Sequence, residues 1–282
     1  MNLNLTTKEI CLNRQINFEK IFLYKGLTYA IAVLNNKIGL ISPEGKPLTD
    51  FIYDYNYNKE NEEYFYAHST FCELKLNNKW GIVNNKGKIV LDFIYDKKIE
   101  IQAGHNNSSI VKADAWGIFD KNWRAITEFK YDNIKYFDNE CYLYSINNKQ
   151  GFMDLKGNIL VEPIYDNIIT FRSFYFYKKG YYCAKVGKNA GVIDKFGNKI
   201  VEFKYAKFNL WNSDNKFIVA QKVKNGEWGV IDIKDKIILN FDYDDIKIVE
   251  MSGKNNKTKN IFFVVEKDGQ TNLLNEKGTI IA

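Results

Sequence analysis

Short runs of alternating apolar and polar residues recur along the chain. They include TYAIAVL at 28–34, FCELKL at 71–76, CYLYSI at 141–146, FIVAQKV at 217–223 and FFVVEK at 262–267. Period-two alternation of this length predicts half-buried β-strands. Each run ends in residues that accept a left-handed backbone: Asn35-Asn36, Asn77-Asn78, Asn147-Asn148, Asn225-Gly226 and Asp268-Gly269. Tight hairpins need that freedom. A second apolar stretch follows each turn, so the basic element is a β-hairpin. No helical period of useful length is present, and residues 1–15 read as an N-terminal tail.

The hairpins belong to a larger repeat. Six full copies read IGLISPEGKPLTDFIYD from Ile38, WGIVNNKGKIVLDFIYD from Trp80, WGIFDKNWRAITEFKYD from Trp116, QGFMDLKGNILVEPIYD from Gln150, AGVIDKFGNKIVEFKYA from Ala190 and WGVIDIKDKIILNFDYD from Trp228. A worn seventh, TNLLNEKGTIIA, starts at Thr271. The anchor glycines are Gly39, Gly81, Gly117, Gly151, Gly191 and Gly229, with Asn272 in the last copy. A tyrosine follows each anchor glycine by 14 residues: Tyr53, Tyr95, Tyr131, Tyr165, Tyr205 and Tyr243. A second glycine follows by 6 in most copies, and Trp123 and Asp235 replace it in two. Fixed spacing inside the unit and variable spacing between units describe one module joined by adjustable loops.

After the Trp-Gly strand comes a turn closed by the second glycine, then a short third strand such as 88–90. The Tyr-Asp pair is expected to open a fourth. Residues 16–24 read as a worn fourth-strand element, with Phe18-Glu19 in place of Tyr-Asp. Residues 16–282 then form one all-β domain of about seven four-stranded antiparallel units. That count lies within the range of about four to eight blades at which β-propellers close. A seven-bladed β-propeller is the expected architecture, and an open superhelical β-solenoid of the same units is the alternative.

The combination W-G-I/V-I-D, G-K-I-V and F-x-Y-D resembles the bacterial WG repeat family, also called KWG repeats. The resemblance runs from about residue 16 to 282. Trp80, Trp116 and Trp228 keep the family tryptophan, whereas Ile38, Gln150, Ala190 and Thr271 depart from it. The resemblance implies an all-β repeat fold and a generic capacity for binding. It implies no catalytic residues.

At repeat positions the expected roles are structural. The anchor glycine lets a neighbouring sheet approach, the tryptophan buries apolar area, the tyrosine packs, and the aspartate accepts local backbone N–H groups in its turn. Departures from the repeat are where specificity is expected. The segment at 171–182, FRSFYFYKKGYY, is the leading binding candidate through Arg172, Phe174, Tyr175, Tyr177, Lys178 and Lys179. Tyrosine and arginine dominate interface hot spots, and aromatics with basic residues can also stack on single-stranded bases. An ordinary strand with one buried aromatic face is the competing reading. Trp123 and Trp211 lie outside the Trp-Gly positions and are further binding candidates, and Trp123, in a turn glycine's place, is expected to be exposed and to add to an aromatic patch. The segments at 55–66 and 252–260 are further departures.

Composition narrows the chemistry. The chain has 282 residues, 45% hydrophobic and 26% charged, with a net charge of +6. Lysine supplies nearly all the positive charge, beside only two histidines and four cysteines. No disulfide framework is expected. His68 and Cys72, four apart in a presumed strand, do not make a zinc site. No cofactor, metal or catalytic motif is expected. Neither a signal peptide nor a membrane span is apparent, which suggests a cytoplasmic protein. The favoured function is a non-enzymatic scaffold for a protein partner. Alternatives are a nucleic-acid or polyanion binder using lysine-aromatic loops, and a carbohydrate-active enzyme with carboxylates gathered between blades.

Overall fold

In the computed structural model the described residues are 17–55, 66–104, 108–138, 140–170, 178–209, 217–252 and 259–282. The chain packs as two units, Met1–Lys130 and Tyr131–Ala282. The described residues form seven antiparallel sheets, five of four strands and two of three.

The first unit holds three sheets. The first consists of Lys20–Phe22, Ala30–Leu34, Lys37–Ile41 and Tyr53–Asp54, and the second of Tyr66–His68, Phe71–Leu76, Lys79–Asn84 and Ile89–Tyr95. The third consists of Glu100–Ala103, Ser109–Lys112 and Trp116–Phe119. In the second unit the fourth sheet is Asn133–Asp138, Cys141–Ile146, Lys149–Asp154 and Ile159–Tyr165. The fifth is Asn167–Thr170, Tyr181–Val186, Asn189–Asp194 and Lys199–Tyr205. The sixth is Lys207–Phe208, Phe217–Gln221, Trp228–Asp232 and Ile237–Tyr243, and the seventh Asp245–Ser252, Lys259–Lys267 and Gln270–Asn275.

Turn chemistry follows the sequence. Asn35, Asn36, Asn77, Asn78, Asn147 and Asn148 all have φ between 51° and 62°. The two-residue loops they form match the twist of the flanking strands. In the next turn Gly157 has φ 84°, and Asp154 Oδ1 accepts the N–H groups of Lys156 and Asn158 at 2.8 and 2.9 Å. Trp123 and Asp235, which replace this glycine, adopt φ 59° and 65°.

One boundary differs from expectation. Tyr95, Tyr165, Tyr205 and Tyr243 do not open a new strand; each closes the last strand of its own sheet, whereas Tyr53 opens a two-residue last strand and Tyr131 lies outside the named strands. Trp80 pairs with Tyr95, Ile82 with Leu91 and Val83 with Ile89, so the last strand bulges opposite Gly81. The bulge shifts the phase of the alternation, which is why the sequence reads as two strands. In the second unit the first strand of each sheet starts two residues after the tyrosine, as at Tyr165 and Asn167.

The bulge also revises the role of the anchor glycine. A methyl group on Gly81 would lie 2.6 Å from Phe93 Cγ, and one on Gly39 or Gly191 2.8 Å from Phe51 or Phe203. The space is filled by a phenylalanine of the same repeat, 12 residues on, and not by a neighbouring sheet. That ring then receives the tyrosine of the preceding repeat. Tyr53 lies 5.0 Å from Phe93, Tyr165 5.7 Å from Phe203 and Tyr205 5.9 Å from Phe241, centroid to centroid. Phe18 stacks on Phe51 in the same way, as its reading as a worn tyrosine requires. In the fourth copy Pro163 replaces the phenylalanine, and Tyr131 packs instead on Tyr144.

Candidate binding surface

In four repeats the aspartate after the tyrosine acts at longer range than a local turn. Asp54 accepts the N–H of Asn78 at 2.7 Å, Asp132 that of Asn148 at 3.1 Å, Asp166 that of Gly187 at 2.6 Å and Asp244 that of Asp268 at 2.9 Å. Each acceptor precedes a sheet and each donor lies in that sheet's hairpin. Glu19 does the same for Asn36. The lysine two residues before the anchor glycine completes the joint: Lys37 pairs with Asp54 at 2.9 Å, Lys79 with Asp96 at 2.6 Å, and Lys149 with Asp166. Partial burial opposes ionisation of Asp54, but the Asn78 N–H and the Lys37 ammonium outweigh it and hold the carboxyl below its ordinary range. Lys149 and the Gly187 N–H hold Asp166 low in the same sense.

Exposed apolar side chains recur on or beside the last strand of the sheets. The residue before the repeat tyrosine is isoleucine in three copies. Ile52 is 43% exposed, Ile94 62% and Ile164 56%. Five residues earlier than Ile94 and Ile164 on the same strands stand Ile89 and Ile159, and Ile237 occupies the matching place in the sixth sheet; all three are exposed. Asp92, Glu162 and Glu202 are exposed on the same series of strands. Each of these strands lies at the end of its sheet's order. Carboxylates there discourage edge-to-edge pairing with another sheet. The isoleucines nonetheless present repeated apolar side chains to solvent. Sequence reasoning missed them because they sit inside the repeat, where a core role is the default.

The residues singled out from the sequence are placed differently. Trp123 is buried, 7% exposed, and packs edge-on against Phe71 at 4.7 Å and against Phe119 at 5.4 Å. It lines a concavity of about 540 Å³ with Lys86, Lys88 and Arg124, but adds no exposed aromatic patch. Lys178 and Lys179 are exposed and helical rather than part of a strand. Tyr182, at the end of that segment, is core against Phe137 and Phe152. Arg172, Phe174, Tyr175, Tyr177 and Trp211 lie outside the described residues, as do 56–65 and 253–258.

Trp80 and Trp116 are buried and Trp228 half-buried. Tyr53, Tyr131, Tyr165 and Tyr205 are buried, whereas Tyr95 and Tyr243 are half-buried. His68 and Cys72 do not share one strand. A turn at 69–70 separates them, with His68 exposed and Cys72 buried. Among the described residues no group of three His, Cys, Asp or Glu could hold a metal, and no helix is long and apolar enough to cross a membrane. Cys72, Cys141 and Cys183 are buried and outside any disulfide, and burial pushes the Cys183 thiol up to about 12.

An all-β chain of tandem sheets joined by a recurring carboxylate and aromatic contact belongs to the repeat proteins. Residues 80–99, 116–149, 151–189 and 228–252 match the family described as a WG-containing repeat, so these segments are WG-containing repeats. None of the curated proteins matches the chain. Solved structures it is similar to include a eukaryotic initiation factor, at 8% identity and TM-score 0.37 over 96% of this chain and 88% of that one. Hsv2p of Kluyveromyces lactis gives 12% and 0.32 over 87% and 92%. Sqt1 of Saccharomyces cerevisiae gives 11% and 0.30 over 88% and 81%. At these scores the likeness carries no functional argument.

Proposed function

We propose that the chain is a non-enzymatic scaffold that binds a protein partner through the isoleucines of its last strands. The observation that carries this reading is the recurrence of exposed isoleucine at one repeat position, in Ile52, Ile94 and Ile164. Single exposed apolar residues are ordinary; the same residue exposed at the same place in three repeats is a recurring feature of the repeat itself. Asp92, Glu162 and Glu202 beside them suit a partner whose apolar contact is rimmed by Lys or Arg. Buried, unbridged thiols fit the cytoplasmic setting that the composition suggests.

The test is recovery of cross-linked partners from source-cell extract with the full chain and with Ile94→Lys/Ile164→Lys. Both proteins should melt alike, because the two side chains are exposed. A partner captured by the natural chain and lost with the variant supports the reading. An identical set of partners from both overturns it.

A further inference from the structure

The aspartate after the repeat tyrosine is replaced once, by Ala206. Ala206 holds the same backbone place: its N–H donates to Gln221 O at 2.8 Å, as the Asp166 N–H donates to Lys185 O at 2.9 Å. The hairpin it should serve is also altered. Residues 222–227 separate the two strands, where Gly187 and Lys188 suffice in the preceding sheet. The longer turn is closed internally, by the Gly226 N–H on Val223 O at 3.1 Å and by Gln221 Nε2 on Gly226 O at 2.7 Å.

Between Ala206 and this turn lies a concavity of about 710 Å³ walled by Lys185, Lys188, Lys207, Lys222 and Lys224. Among the described residues none of the five is ion-paired. Lys207 lies 5.5 Å from the Trp228 ring centroid and Lys222 4.6 Å from that of Phe241, contacts that place the ammonium groups without neutralising them. A carboxylate that does reach the lining, Asp166 on the Gly187 N–H, is already paired with Lys149.

We propose that this concavity binds a small polyphosphate-class anion, which supplies the negative charge that the repeat provides elsewhere with its own aspartate. This goes beyond the scaffold reading and does not depend on it. Lysine ammoniums are compact point charges suited to phosphate oxygens, and no arginine fork is present to select a planar carboxylate. Five like charges around one hollow repel one another, and a multivalent anion relieves that repulsion.

The experiment is calorimetric titration of the full chain with sodium tripolyphosphate at low ionic strength, with citrate and a short single-stranded DNA as comparison ligands. One saturable site is expected, weakened by added salt. Ala206→Asp, which restores the carboxylate of the repeat, should lower affinity about tenfold or more, as should Lys207→Ala/Lys224→Ala. Lys86→Ala/Lys88→Ala, at the separate concavity in the first unit, should bind as the natural chain does. Melting curves confirm that each variant is folded, and exposed Lys224 can be replaced alone if another variant is not. Absence of saturable binding, or undiminished binding by Ala206→Asp and by the lysine variant, overturns the proposal. Equal affinity for citrate overturns the phosphate class, and tighter binding of DNA overturns the small-ligand assignment.

Discussion

Asp54 stands at the end of the first sheet, yet its Oδ2 accepts the N–H of Asn78 at 2.7 Å inside the hairpin of the second, while its Oδ1 takes Lys37 Nζ at 2.9 Å. One carboxylate thus satisfies a turn in the following repeat and a lysine in its own. The arrangement recurs in both units, with Asp166 between Gly187 and Lys149. Repeat proteins are held by intrinsic repeat stability plus terms between neighbours, and this contact is such a term. The tyrosine-phenylalanine stack at the same joint is another.

Asp54→Ala should therefore destabilise the protein by about 1–2 kcal/mol, the worth of a charge-assisted hydrogen bond to a partly buried group. Asp92→Ala, on an exposed last strand, should stay within about 0.5 kcal/mol. Urea unfolding of the two variants side by side measures the difference. Equal losses would mean that the joint contributes nothing beyond ordinary surface charge.

The same contact makes stability depend on acidity. The folded carboxyl of Asp54 titrates below its ordinary range, so the unfolded chain takes up its proton first as pH falls. The contribution is complete above the unfolded value of about 3.9 and is lost as pH falls through the lower folded value. The stability gap between the natural chain and Asp54→Asn should be full at pH 6 and narrow steadily below about pH 4. Asp166 should follow the same direction, with strong attenuation by salt, because that pair is exposed. Urea midpoints across a pH series give both curves.

Glycine at the anchor position should be required in proportion to how closely the phenylalanine approaches. A methyl group at Gly81 would meet Phe93 Cγ at 2.6 Å and Leu91 O at 2.9 Å, whereas one at Gly117 would meet Phe129 at 3.2 Å. Gly81→Ala should cost about 2–3 kcal/mol, and Gly117→Ala clearly less, because the Phe129 ring can yield by a few tenths of an ångström. Thermal melts rank the two. The reverse order would show that the ring is not what excludes the side chain.

Much of this architecture is legible in the sequence because each copy repeats it. Gly39 to Gly229 and Tyr53 to Tyr243 keep their internal spacing, and the asparagine pairs announce their left-handed turns. Contacts between copies are not legible. Nothing local tells Asp54 that its partner is Asn78, 24 residues on, so turn chemistry suggests a nearer acceptor role. The strand from Ile89 to Tyr95 looks broken because its bulge resets the alternation. The lysines around Ala206 come from several separate segments, and only the fold gathers them.

Trp123 is the sharpest case of local chemistry pointing the wrong way. A tryptophan in a turn glycine's place should be costly, since φ 59° is a left-handed conformation that bulky side chains avoid. Exposure is the natural inference for such a residue. Instead the chain accepts the strained backbone and recovers more by burying the ring between Phe71 and Phe119, with the indole N–H toward Thr70 Oγ1 at 3.5 Å. Trp123→Ala keeps the backbone penalty and loses the packing, so it should cost about 3 kcal/mol or more. Trp123→Gly loses the same packing but is free of the penalty, and should be more stable than the alanine variant by about 1 kcal/mol. Urea unfolding of the two variants decides the matter. If alanine proves the more stable, the backbone is not strained there and burial alone governs the position.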